Sequence, residues 1–109
     1  MKILTRPEEM VLLAVWKLKG NAYGVTLAEQ LTEMTGQKWV LGAVYVPLER
    51  LEKKGYLKSY LSNPTKERGG RSKRMYDLTK SGLKALIDIK TLEEQMWNEI
   101  SKVSLESEL

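Results

Sequence analysis

Three single glycines, Gly20, Gly36 and Gly55, divide the first half of this chain into three short pieces. Each piece carries its apolar residues at helical spacing. A glycine just past the last periodic residue is a usual helix stop, because it adopts the left-handed conformation that closes the final turn. The pattern predicts three short helices in succession. The first spans about residues 6–19. Thr5 and Glu8 have the spacing of a reciprocal cap, and Pro7 falls in the first turn, where its missing N–H is harmless. From Met10 to Trp16 it is apolar on every side, so it should be buried on more than one side. The second begins near Tyr23, with Asn21 as its expected cap. It turns Leu27, Ala28, Leu31 and Met34 inward. The third covers about residues 42–54, with Val44, Leu48 and Leu51 as its buried stripe. Gly42, Val46, Glu49, Arg50 and Lys53 point the other way. Pro47 removes a backbone donor, which predicts a late or slightly irregular start to this helix.

A strand is expected over residues 57–62 and a second over 73–78, joined by a loop with Asn63-Pro64 and Gly69-Gly70 turn signals. Thr79 then caps a last helix, expected to run to about Val103. At about 1.5 Å per residue it would be about 37 Å long, more than a domain this small can cover. Leu86, Ile89, Met96, Ile100 and Val103 keep a seven-residue pattern along one seam, interrupted by Glu93 and flanked by Leu92 and Trp97. Such a seam suits another helix. The rest of the chain is already used, so that helix is expected from a second copy, the alternative being a last helix folded back on its own core.

At 109 residues there is room for one core. The expected organisation is a unit over residues 1–78 and a dimerisation helix over 79–109, packed as one body. The chain has no Cys and no His. That removes zinc fingers, haem ligation of the usual kinds and nucleophile systems built on His, and no metal or cofactor is expected. Nothing in it argues for secretion, and the longest apolar run is far short of a membrane span. A cytoplasmic protein is the expectation. The net charge of +4 hides a strong asymmetry. Residues 50–80 carry +7, whereas residues 84–109 carry −3.

Mainly helical, with three helices and then a small hairpin, the chain reads as a winged helix-turn-helix followed by a long C-terminal dimerisation helix. In such a fold the third helix fits the major groove of double-stranded DNA. Its outward Val46, Arg50 and Lys53 would face the bases, beside Glu49. The wing would follow the backbone with Lys66, Arg68, Arg71, Lys73 and Arg74, while Gly69 and Gly70 allow close approach and Ser72 adds a donor. Arg50 has two readings: a bidentate contact to guanine, or a pair with the neighbouring Glu49 or Glu52. Tyr45 either donates to a phosphate or packs beside Leu48.

Residues 9–82 resemble the PadR family of bacterial transcriptional regulators. The resemblance is carried by Leu12-Leu13-Ala14-Val15-Trp16, Ala22-Tyr23-Gly24, the whole stretch from Gly42-Ala43-Val44-Tyr45 to Gly55-Tyr56-Leu57, Gly70-Arg71-Ser72-Lys73-Arg74-Met75-Tyr76 and Leu78-Thr79-Lys80-Ser81-Gly82. It implies a homodimeric repressor on a palindromic operator, with DNA contacts at Tyr23, Ala43, Tyr45, Arg50, Gly70, Arg71 and Lys73. A proline near Pro47 is common in that family. Ser72 departs from it, standing where proline or arginine is frequent. The single C-terminal helix resembles the family's short subgroup, some members of which hold flat aromatic compounds between tryptophans at the dimer interface. Trp97 is then either a stacking surface for a planar effector or an interface packing residue. Trp16 and Trp39 are expected in the core or at its edge.

Two other classes compete. A winged helix can serve protein–protein contact without DNA, although five basic residues between positions 66 and 74 argue against it. An enzyme is not expected: Glu8-Glu9 and Glu93-Glu94 are adjacent on helices, point apart and cannot share a site.

Overall fold

The computed structural model describes residues 3–62 and 72–109. In chain order its elements are α1 (Arg6–Lys17), α2 (Gly24–Thr35), α3 (Leu41–Lys53), β1 (Leu57–Leu61), β2 (Arg74–Leu78), α4 (Lys80–Met96) and α5 (Lys102–Glu106). Lys66, Arg68, Gly70 and Arg71, expected on the wing, lie outside the described residues.

The glycine punctuation is realised. Gly20, Gly36 and Gly55 all have positive φ, between 73° and 85°. The α1 cap is also present: the Thr5 N–H donates to Glu8 Oε1 at 2.9 Å and the Glu8 N–H to Thr5 Oγ1 at 3.3 Å. α2 starts at Tyr23 as cap rather than at Asn21. There the Thr26 hydroxyl accepts the Tyr23 N–H at 3.1 Å and donates to the Asn21 carbonyl at 2.6 Å. Asn21 thus contributes its backbone, not a capping side chain. α3 begins at Leu41, so Pro47 does not delay it. The proline ring is buried. Its missing donor would have served Ala43, which lies on the exposed face where water can take that role.

Helices α1, α2 and α3 pack pairwise around Val11, Leu12, Val15, Leu27, Leu31, Val44, Leu48 and Leu51. Burial of each such side chain is worth about 1.5–3 kcal/mol. The hairpin closes one side. β1 pairs antiparallel with β2 in the register Leu57 with Leu78, Ser59 with Tyr76 and Leu61 with Arg74. Leu57 and Tyr76 point into the core. The Tyr76 N–H also donates to the Ala22 carbonyl at 2.9 Å, which ties the wing to the turn between α1 and α2.

α4 is attached by its first turn. Thr79 accepts the Gly82 N–H at 3.1 Å and its hydroxyl donates to the Gly55 carbonyl at 2.6 Å. Gly82 sits directly on the Tyr56 carbonyl, with no room for a Cβ. Ala85, Leu86 and Ile89 then pack against the core.

The last helix is shorter than the sequence pattern predicts. It stops at Met96, and Glu99 takes a left-handed φ of 64°. A separate short helix restarts behind a reciprocal cap between Ser101 and Ser104. Ile100 and Val103 therefore do not continue the α4 seam. Beyond Leu92 every residue is exposed, and backbone hydrogen bonds alone hold a short helix poorly. The radius of gyration is 16.3 Å; a compact chain of this length would have about 13 Å.

Candidate nucleic-acid interface

The α3 periodicity produces a helix with one buried and one open side. Val44, Pro47, Leu48 and Leu51 are buried, while Ala43, Tyr45, Val46, Glu49, Arg50 and Lys53 are exposed. Among the described residues Arg50 is in no ion pair with Glu49 or Glu52. Glu52 instead accepts a hydrogen bond from Ser59 Oγ at 2.6 Å.

Beside this face the hairpin base and the start of α2 form an open cleft. Tyr23, Val25, Tyr45, Ser72, Lys73 and Arg74 line it. Five of these, all but Val25, are residues that the sequence marks for DNA. They come from three separate stretches of chain, and three local interactions hold them together. Lys73 Nζ sits 3.7 Å from the centre of the Tyr23 ring, a cation–π contact. The Tyr45 ring lies over Gly24, so closely that a Cβ there would stand 2.5 Å from the tyrosine hydroxyl oxygen. Tyr45 therefore packs against the start of α2, with its ring still part of the cleft. Finally, the Ser62 N–H donates to the Lys73 carbonyl at 2.8 Å, and the Lys73 N–H to Ser62 Oγ at 2.9 Å, extending the hairpin past its last strand residues.

Val25 was not legible as a site residue. Its signal is its position off the Leu27–Leu31 stripe: an apolar side chain, half exposed, in the first turn of α2.

Two acid–base features support the frame. Burial pushes the Glu8 carboxyl up, but hydrogen bonds from Lys54 and from the Thr5 backbone outweigh it, and the group lies below its ordinary value. Its Oε2 accepts from Lys54 Nζ at 2.7 Å, so the α1 cap is tied to the end of α3. Burial pushes the Tyr76 phenol up, reinforced by the nearby Glu52 carboxylate and partly offset by Arg74.

On the other side of the molecule, α4 is flanked by two apolar hollows. One lies against α1 and is walled by Leu13, Trp16, Leu83, Leu86 and Ile87. Trp16, expected in the core or at its edge, is half exposed here. The other lies between the start of α1 and the end of α4, with Ile3, Ile89, Leu92, Met96 and Trp97 as walls and Arg6, Glu9 and Glu93 around them. Trp39 is at the core edge, its Nε1–H donating to Thr35 Oγ1 at 3.2 Å. Among the described residues no group of acids could hold a metal ion, and no helix is long and apolar enough to cross a membrane.

Comparison with curated proteins gave no match. Solved structures share the fold. A PadR family transcription regulator from Clostridium difficile is 28% identical, with a TM-score of 0.63, over 94% of this chain and 97% of that one. A PadR family transcriptional regulator from Eggerthella lenta is 26% identical, with a TM-score of 0.68, over 86% of this chain and 80% of that one. A PadR-like transcription factor from Bacteroides fragilis is 24% identical, with a TM-score of 0.69, over 82% and 81%. The model of the transcriptional regulator PadR-like family matches residues 12–88, from the second half of α1 through β2 to the first half of α4. With its winged helix, its exposed third helix and its basic hairpin, this chain belongs to the PadR-like family of transcriptional regulators.

Proposed function

We propose that the protein is a homodimeric repressor that binds a palindromic operator, with α3 in the major groove and the wing on the sugar–phosphate backbone. The observation that carries this reading is the cleft: Tyr23, Tyr45, Ser72 and Lys73 converge on one surface next to the exposed face of α3. Hydroxyl and ammonium donors there face phosphates, and Arg74 adds to the positive potential. Lys66, Arg68, Gly70 and Arg71 extend the same contact along the wing. On α3, Arg50 reads guanine, Ala43 and Val46 meet thymine methyl groups, and Lys53 closes on the backbone.

The dimer forms through α4. Residues 79–109 supply the association surface and residues 1–78 the DNA-binding unit. Leu86, Ile89, Leu92, Met96, Trp97, Ile100 and Val103 contribute to it; from Met96 onward these side chains are exposed in the single chain, which supports a partner. Half-sites lie about 34 Å apart, so both recognition helices must fit together. A planar aromatic effector stacked on Trp97 would change their spacing and release the operator.

The test is a titration of the promoter fragment upstream of the gene at several salt concentrations. With about 6–10 phosphates contacted, affinity should fall about 10³–10⁵-fold between 50 and 200 mM salt. Lys73→Ala should flatten the dependence by about 0.9 in log–log slope per site. Arg50→Ala should weaken operator binding more than binding to unrelated duplex. Absence of binding at 50 mM salt would sink the proposal.

A further inference from the structure

Adjacent cations at the wing root have different surroundings. Both line the cleft, but Lys73 lies over the Tyr23 ring. Arg74 begins β2, and strand alternation places it on the same sheet face as Tyr76, whose side chain is buried in the core. Across the hairpin, Ser59 is the register partner of Tyr76 and so lies diagonally from Arg74, within reach of a long side chain. Arg74 Nη1 donates to Ser59 Oγ at 3.0 Å, and Ser59 Oγ donates to Glu52 Oε2 at 2.6 Å. One serine hydroxyl thus links the wing arginine to a carboxylate on the recognition helix. Glu49 and Glu52 of α3, Tyr45 and Arg74 are the groups whose charges act on the buried Tyr76.

We propose that Glu52 and Ser59 are positioning residues that restrain the Arg74 guanidinium on the protein and withhold it from the DNA backbone. The idea rests on the DNA-binding reading and deepens it. Arg74 gives one guanidinium donor to Ser59, so turning the guanidinium outward onto a phosphate would break that bond and strand the Ser59–Glu52 pair without its cation. The restraint lowers affinity for unrelated duplex and leaves base reading by the outer face of α3 untouched. Specificity, as a difference between two affinities, rises.

The experiment measures the salt dependence of binding to an unrelated duplex for the full chain. It uses wild type, Glu52→Gln, Ser59→Ala, Arg74→Ala and the double variant Glu52→Gln/Arg74→Ala, each checked for a wild-type circular dichroism spectrum. Freeing Arg74 adds one phosphate contact per wing and two per dimer, which steepens the log–log slope by about 1.8 and amounts to about 12-fold more affinity lost between 50 and 200 mM salt. Glu52→Gln should show this steepening. Ser59→Ala should show it too, although it changes no charge. The effect of Glu52→Gln should vanish when Arg74 is already alanine. Persistence of the Glu52→Gln effect in the double variant would mean that the carboxylate acts through bulk charge, and it overturns the restraint. So does an unchanged slope in Ser59→Ala. Failure of the wild type to bind any duplex at 50 mM salt takes down the parent reading together with this one, whereas wild-type binding with unaltered slopes takes down this one alone.

Discussion

The ion pair between Glu8 and Lys54 offers a stability experiment with a defined sign. Glu8 is 1% exposed, and its carboxylate accepts from the Thr5 N–H and from Lys54 Nζ. The perturbation is Lys54→Met, which keeps an apolar stem and deletes the ammonium. The remaining carboxylate would be buried without its counter-charge. Breaking a fully buried pair costs about 3–5 kcal/mol. The Lys54 side chain is 37% exposed, so water screens part of the interaction. A charge-assisted hydrogen bond of about 1.5–3 kcal/mol is the better guide, giving a loss of about 2 kcal/mol at neutral pH. For a chain of this length that corresponds to about 9 °C in Tm.

The pH dependence separates charge from packing. The Glu8 pKa is lowered in the folded state from its ordinary 4.5. Its stabilisation is therefore complete above that ordinary value and is lost as pH falls through the lowered one. In Lys54→Met the opposing burial effect dominates and the folded pKa rises. Acid then removes nothing further from the variant while it destabilises the wild type. Urea denaturation at fixed protein concentration should show the two proteins about 2 kcal/mol apart at pH 7 and converging as pH falls through the lowered Glu8 pKa. An equal gap at both pH values would refute the reasoning, because it would assign the whole effect to the lysine stem.

Two glycine substitutions should fail differently. Gly82→Ala drives a Cβ into the Tyr56 carbonyl, a backbone atom that cannot swing away, and should cost about 1–3 kcal/mol in thermal or urea unfolding. Gly24→Ala meets only the far end of the Tyr45 side chain, so stability should hold within about 1 kcal/mol while Tyr45 is displaced and DNA affinity drops in the same titration. Met96→Glu places a charge on the exposed part of the proposed association surface and should leave only monomer in sedimentation at micromolar concentration. A dimer in both proteins would exclude that surface from the interface.

Much of the architecture is readable from local pattern alone. Helix type, the glycine stops, the Thr5–Glu8 cap and the hairpin all depend on residues a few positions apart, where periodicity and backbone preference decide. The expected end of the last helix failed for a related reason. The heptad pattern continues to Val103, but it records which side chains would share a face if the helix continued. It does not record that α4 has no buried or half-buried residue after Leu92, so little tertiary burial stabilises helix there and the Ser101–Ser104 cap starts a new one. The Pro47 expectation failed because the buried ring compensates within a packed helix, a circumstance outside the local rule.

The site divides along the same line. Position in the sequence already determined which side chains could serve it: the outward residues of the third helix, the Tyr-Gly pair and the basic hairpin. Only the folded chain decided what each of them does next to its neighbours. Tyr45 meets Gly24, Lys73 settles on Tyr23, Arg74 is taken by Ser59, and Glu8 finds Lys54 across 46 residues of chain. Those partners are set by how helices and hairpin pack, since a side chain's charge and reach are written at its own position but the group within 3 Å of it is not.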